Sequence, residues 1–123
     1  MRMLFALALA LAADHGFDQR VHAAKALETR PEGKAWQGAL WDHIGNPATD
    51  ALRSCILSNA PADKRPFTLV ATVGADGRST EVAVSPQTPV AGCFAGQFAT
   101  WTLPVPPKAP APYPIEIDVT MDK

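Results

Sequence analysis

The stretch FTLVATVGADGRSTEVAVS, residues 67–85, sets the fold of this chain. Its two ends, FTLVATV and STEVAVS, are rich in the β-branched residues that suit the pleated surface of a sheet. Between them lies GADGR, in which Gly74 and Gly77 can adopt the positive φ angles of a tight turn. The stretch therefore predicts two antiparallel strands that form a hairpin.

The segment TPVAGCFAGQFATW, residues 88–101, predicts a helix directly after the hairpin. Thr88 is a typical N-cap residue, and Pro89 suits the first helical position. Apolar side chains recur three and four residues apart, which is the spacing of one helical face. They are Val90, Phe94, Phe98 and Trp101, with Cys93 beside them.

The end of the chain combines a proline-rich segment with an alternating one. Residues 103–114, LPVPPKAPAPYP, hold six of the 12 prolines and predict an extended connector, or alternatively a PxxP ligand for another protein. Residues 115–123, IEIDVTMDK, predict a half-buried strand because apolar and polar side chains alternate. One face would carry Ile115, Ile117, Val119 and Met121, and the other Glu116, Asp118, Thr120 and Asp122.

The residues before the hairpin predict a helical segment, residues 13–58. A first helix carries apolar residues from Phe17 to Leu27 and is stopped by Pro31 and Gly33. A second places Trp36, Leu40 and Ile44 on one face and ends at Gly45. A third begins with Asn46 as N-cap and Pro47 at its first position, and Cys55 lies on its inner face.

The first twelve residues, MRMLFALALALA, resemble a signal peptide. Arg2 supplies a positive n-region, a short apolar run follows, and Ala10-Leu11-Ala12 has the small-x-small form of a cleavage site. The run is too short for a lasting membrane anchor. We therefore expect an exported chain that begins near Ala13 and is not inserted in a membrane; the alternative is a buried N-terminal helix.

Export bears on the only two cysteines, Cys55 and Cys93. An even pair in an oxidising compartment predicts a disulfide, here between the apolar faces of two helices. Such a bridge closes a loop of about 39 residues and would stabilise the fold by roughly 4 kcal/mol. A zinc site would need about four ligands in a recognisable spacing, and the sequence has no such pattern.

Composition bounds the class of protein. With 123 residues and 47% hydrophobic residues, the chain suits one small α+β domain with its own core. The formal net charge is −1, with 11 basic and 12 acidic side chains. Nothing in this charge distribution predicts binding to nucleic acid.

The order helix, strand, Asp-Gly turn, strand, helix, W-x-x-P, strand resembles the C-terminal domain of the TonB/TolA superfamily. The resemblance covers about residues 55–121 and rests on residues 67–73, Asp76-Gly77-Arg78, residues 81–85, the helix 89–101 and Trp101-Thr102-Leu103-Pro104. It is closest to a subset with one cysteine before the first strand and one in the helix. The chain departs from TonB proper because it lacks a lasting anchor and a proline-rich spacer before the domain.

The resemblance implies a three-stranded antiparallel β-β-α-β unit packed on helices, and a way of binding. Domains of this superfamily bind peptides by adding a strand to an exposed sheet edge. The candidate edge strand contains Ile115, Glu116, Ile117, Asp118 and Val119. Its acidic residues would select a basic partner, or would simply keep edges from pairing. Pairing of two copies through this edge would give a homodimer.

No catalytic pattern stands out in the sequence, and no cofactor is predicted. His43, next to Asp42, is better explained as a solvated or hydrogen-bonded side chain than as a general base. Trp36 and Trp41 are expected in the core, with ligand stacking as the alternative. If cleavage follows Ala12, His15 in third place would complete a square-planar copper or nickel site with the amino terminus.

Three functions remain open at this point. The first is a non-enzymatic protein-binding module of the bacterial periplasm that acts through its last strand. The second is a small periplasmic inhibitor or immunity-type protein that blocks a toxin or hydrolase. The third is a metal carrier or a small enzyme that uses His15 or His43.

Overall fold

The computed structural model describes residues 16–121, which form three helices and three strands. The predicted leader and His15 lie outside the described residues. In chain order the elements are α1 (residues 16–28), α2 (Pro31–Ser58), β1 (Phe67–Val73), β2 (Ser79–Ser85), α3 (Pro89–Phe98) and β3 (Tyr113–Val119). The predicted α+β class is confirmed.

The three strands form one antiparallel sheet in the order β2-β1-β3. Leu69 at the middle of β1 lies opposite Val84 on β2 and Ile117 on β3. The hairpin is confirmed, and its turn depends on Gly77, whose φ is +84°. A Cβ added there would lie 2.1 Å from the carbonyl oxygen of Leu103, so any side chain would clash with the chain that follows α3.

One face of the sheet, the inner face, packs on α2 and α3 to form the main core. The buried strand residues on this face are at most 9% exposed, as expected for a continuous apolar core. They are Phe67, Leu69, Ala71, Val73, Val84, Tyr113, Ile115 and Ile117. The predicted disulfide between Cys55 and Cys93 is confirmed, with a Cα–Cα distance of 5.7 Å, and it joins α2 to α3.

The N-terminus of α3 follows its sequence signal. The N–H of Ala91 donates to the Thr88 hydroxyl at 3.1 Å, so Thr88 is the N-cap as predicted. Phe94, predicted on the apolar stripe, stacks edge-on against Phe67 of β1 with 5.9 Å between ring centroids. The aromatic stripe of α3 therefore attaches the helix directly to the sheet.

The opposite, outer face of the sheet is covered by α1. Arg20 donates a hydrogen bond to the carbonyl oxygen of Glu81 on β2, and Lys25 contacts Asp118 on β3. Ala24 of α1 and Val70 of β1 are both at most 1% exposed. α1 thus buries Val70 and Glu116 on the outer face and leaves Asp118 exposed, whereas the sequence predicted a half-buried last strand.

The predicted break at Gly45, Asn46 and Pro47 is wrong, because α2 is one continuous helix with Pro47 inside it. Proline removes one helical hydrogen bond and normally ends or kinks a helix. Here the buried residues keep the same helical spacing on both sides of Pro47. Its members are Trp36, Leu40, Ile44, Ala51 and Cys55. Burial of one continuous face against the core outweighs the local cost of the proline.

The W-x-x-P segment after α3 is held between the hairpin turn and α2. The Leu103 N–H donates to the Gly77 carbonyl oxygen at 2.8 Å. From α2, Trp36 Nε1 donates to the Pro104 carbonyl oxygen at 3.0 Å, and His43 Nε2 lies 3.0 Å from that of Thr102. The proline-rich segment then carries the chain to β3 without helix or strand up to residue 112, as predicted.

Candidate functional site

The candidate site is the free edge of β3. In the sheet order β2-β1-β3, strand β3 pairs with β1 along all seven of its residues, Tyr113 to Val119. Within residues 16–121 no other strand pairs with its second edge. A regular strand with one open edge can accept another extended chain.

A groove of about 340 Å³ lies beside the C-terminal end of this strand. Its wall on α2 includes Trp41, Ala48 and Leu52, and its other wall is the chain from Ile117 to Thr120. Trp41 is 44% exposed, unusual for so large an apolar side chain. The groove therefore offers an apolar surface next to unpaired backbone groups.

Asp118 forms the polar rim of the groove, and its hydrogen-bond partners, Thr68 and Lys25, favour its ionised form. Burial alone would raise the pKa of this carboxyl, but hydrogen bonds from the Thr68 hydroxyl and the Lys25 ammonium lower it below its ordinary value. The two bonds measure 2.8 Å and 3.1 Å. The Asp118 side chain is still 56% exposed, so it presents a fixed negative charge at the edge.

Glu116, the other acidic residue predicted on the outer face of β3, does not lie in solvent. Its side chain is only 5% exposed, under α1, with the Lys25 ammonium 3.4 Å from Oε1. Burial first, and then the neighbouring Glu28, raise the pKa of Glu116 to about 8. Glu116 therefore belongs to the packing of α1 rather than to the accessible edge.

The second edge of the sheet, along β2, differs from that of β3. The register with β1 shifts between Val70, opposite Ala83, and Thr72, opposite Thr80, so β2 contains one extra residue. Glu81, at this bulge, has a φ of 53°, which is rare for a residue other than glycine. Bulges of this kind interrupt pairing and protect an edge. The β3 edge is therefore the better template for an added strand.

The structure buries Trp36 and leaves Trp41 and His43 exposed. Trp36 is 5% exposed and stacks on Tyr113, as predicted for a core residue. Trp41 is not in the core, and the expectation that it would be is wrong. Trp41 follows Leu40 of the buried stripe by one residue and so lies on a different face of the helix. The helical spacing of the stripe therefore already indicated that Trp41 points away from the core. His43 holds the Thr102 carbonyl, which confirms it as a hydrogen-bonded side chain.

Among residues 16–121 there is no group of three or more His, Cys, Asp or Glu side chains arranged to hold a metal ion. No helix in this range is both long and apolar enough to cross a membrane.

Comparison with known proteins gives no relative. No protein-family model, no curated protein and no solved structure matches this chain. The resemblance to the TonB/TolA C-terminal domain therefore remains a prediction from the sequence.

Proposed function

We propose that this chain is an exported, non-enzymatic protein-binding module of the bacterial cell envelope that binds its partner along the free edge of β3. The observation that carries the proposal is the pairing of an open, regular edge strand with an adjacent apolar groove. Backbone hydrogen bonds to an edge supply affinity, and a neighbouring pocket for alternate side chains supplies specificity.

The groove defines the chemistry of the partner. An extended segment added to β3 would direct every second side chain toward α2, where Trp41 and Leu52 line the groove. Half-exposed aromatic side chains of this kind are frequent centres of binding energy. A large apolar residue in the partner fits this position, and a basic neighbour would meet the carboxylate of Asp118.

Periplasmic export is supported by the signal-peptide pattern together with the disulfide. Disulfides persist in oxidising compartments such as the periplasm and are rare in the cytosol. The bridge between Cys55 and Cys93 joins two helices of the core, a structural position. A binding role rather than an enzymatic one is supported by His43, whose Nε2 is already occupied by a backbone carbonyl.

Affinity capture from an envelope extract of the source organism tests the proposal. The bait is the chain from Ala13 onward, and the variant is Trp41→Ala. The matched control is Leu57→Ala, since Leu57 is also on α2 but is 72% exposed and lies outside the groove. The expected result is one dominant protein that is retained by the control and lost by Trp41→Ala.

The identity of the captured protein then separates two roles. An envelope component without hydrolytic or toxic activity supports an adaptor. A toxin or hydrolase whose turnover falls when the chain binds it supports the inhibitor instead. Equal capture by both variants would contradict binding through the groove.

A further inference from the structure

The contact between α1 and the outer face of the sheet contains a buried cluster of carboxyl groups. Glu116 of β3 is 6% exposed. Within the described residues, its Oε1 and the Oε2 of Glu28 on α1 are both buried without a hydrogen-bond partner. The Lys25 ammonium lies 3.4 Å from Glu116 Oε1 as an ion pair but makes no hydrogen bond to it. Buried polar atoms nearly always have a hydrogen-bond partner, so these two oxygens lack a donor that the contact between α1 and β3 should supply.

A proton on the carboxyl pair would supply the missing hydrogen-bond donor. Two ionised carboxylates only accept hydrogen bonds, whereas a protonated carboxyl donates one. A proton on Glu116 lets this residue donate a hydrogen bond to Glu28, and the contact with Glu28 is, after burial, a cause that raises the pKa of Glu116 to about 8. Carboxyl pairs that share a site commonly keep one proton for this reason.

The charges around the pair do not remove the need for this proton. Three carboxyl groups meet here, Glu28 from α1 and Glu116 and Asp118 from β3, and one cation, Lys25 of α1, faces them. Lys25 Nζ lies 3.4 Å from Glu116 Oε1 and 3.1 Å from Asp118, and the Lys25 side chain is 52% exposed, so it is shared between two carboxyl groups and solvent weakens its attraction to Glu116. From β1 the cluster meets the neutral residues Thr68 and Val70.

We propose that α1 is a pH-sensitive cover on the outer face of the sheet, packed while the Glu28–Glu116 pair holds a proton and released when the pair loses it. Ala24 of α1 and Val70 of β1 are buried outside the main apolar core, whereas Leu27 of α1 is partly buried against that core. Release of α1 uncovers Val70 and the outer side of β3 and removes the contact of Leu27, while α2 and α3 keep the inner face of the sheet packed.

The direction of the pH dependence follows from linkage. Glu116 has an ordinary pKa of 4.5 and a raised one, about 8, in the packed state. The packed state therefore holds the proton more tightly than the released state. The packed state is most favoured below about pH 4.5, becomes less favoured as the pH rises to about 8, and changes no further above it. The equilibrium changes by at most about tenfold per pH unit within this window.

Hydrogen–deuterium exchange of the full chain between pH 5 and pH 8.5 tests the proposal. Protection is corrected for the intrinsic pH dependence of exchange and compared between residues 16–28 and the core strand β1. The expected result is a fall in protection of residues 16–28 by about tenfold or more, with unchanged protection of Leu69. In Glu116→Gln, whose amide can donate to Glu28 at any pH, protection of residues 16–28 should not depend on pH.

Two further variants keep the result interpretable. Glu28→Gln removes the other carboxyl and should also abolish the pH dependence, which covers the case in which Glu116→Gln does not fold. Asp50→Asn removes an exposed carboxyl on α2 and should behave like the unmodified chain. The proposal is overturned if residues 16–28 keep their protection up to pH 8.5, or if protection falls equally in α1 and β1. It is also overturned if Glu116→Gln and Glu28→Gln retain the pH dependence.

Discussion

The two faces of the sheet are covered by different chemistry. On the inner face, α2 and α3 pack apolar side chains against the strands, and a disulfide joins the two helices. On the outer face, α1 is attached by a hydrogen bond from the Arg20 guanidinium to the Glu81 carbonyl, by the ion pairs of Lys25, and by a carboxyl cluster. Apolar burial involves no titrating group and so does not depend directly on pH, whereas attachment through partly exposed charges depends on pH and is screened by salt.

This difference suggests that the inner and outer faces of the sheet have different roles. The inner face supplies the stability that holds β3 in place, and β3 borders both the groove and α1. The outer face and the free edge supply surfaces that can change their contacts. Regions that bind or move are generally drawn from the less stable parts of a fold.

The largest expected effect is on the inner face, from loss of the disulfide. The bridge joins residues 38 apart in sequence, so its removal should lower the free energy of unfolding by about 4 kcal/mol. Urea unfolding of the Cys55→Ala, Cys93→Ala double variant measures this effect. Reduction of the unmodified chain separates the bridge from the small cavity that the two alanines leave. An unchanged midpoint after reduction would show that the helices do not need the bridge.

A matched pair of valines on β1 compares the two faces directly. Val73 on the inner face and Val70 on the outer face are 1% and 0% exposed, and each loses two carbons on replacement by alanine. We expect Val73→Ala to lower the free energy of unfolding by about 2 kcal/mol and Val70→Ala by about 1 kcal/mol. The loss at Val70 is smaller because α1 can loosen without unfolding the core.

Hydrogen exchange sharpens this comparison. Val70→Ala should selectively lower the protection of residues 16–28, whereas Val73→Ala should lower protection throughout the sheet. Equal losses of stability for both variants, with the same pattern of exchange, would mean that the two faces form one cooperative unit.

The smallest expected effect on stability comes from the groove. Trp41→Ala removes a side chain that is already 44% exposed, so the free energy of unfolding should change by less than about 1 kcal/mol. Thermal unfolding checks this value, with Leu57→Ala as the control on the same helix. A loss above about 2 kcal/mol would show that Trp41 is a structural residue and would remove the groove as a binding surface.

Local signals in the sequence predicted much of this fold. Thr88 and Pro89 mark the start of α3, the Asp-Gly turn marks the hairpin, and the cysteines lie on facing helices, because each of these depends on a few neighbouring residues. The break at Pro47 was predicted wrongly since a local signal competes there with burial over the whole length of α2. The apolar residues before and after Pro47 share one helical spacing, which indicates one continuous stripe.

The outer face illustrates what a single strand pattern leaves open. Alternation in β3 correctly separates Ile117 from Glu116 and Asp118, but it does not say whether water or a helix lies over the polar side. In the structure α1 covers Glu116 and leaves Asp118 half exposed. The groove could not be predicted from the sequence either, because Trp41 and Thr120, which line it, are far apart in the chain.

The most direct test of the binding proposal is site-specific photocrosslinking in intact cells of the source organism. A benzophenone amino acid replaces Trp41 in the groove or, as the control, Leu57 on the same helix. Both positions are exposed enough to accept the side chain. The proposal predicts one crosslinked protein that forms from position 41 and not from position 57. Equal crosslinking at both positions, or none at position 41, would contradict binding along the β3 edge.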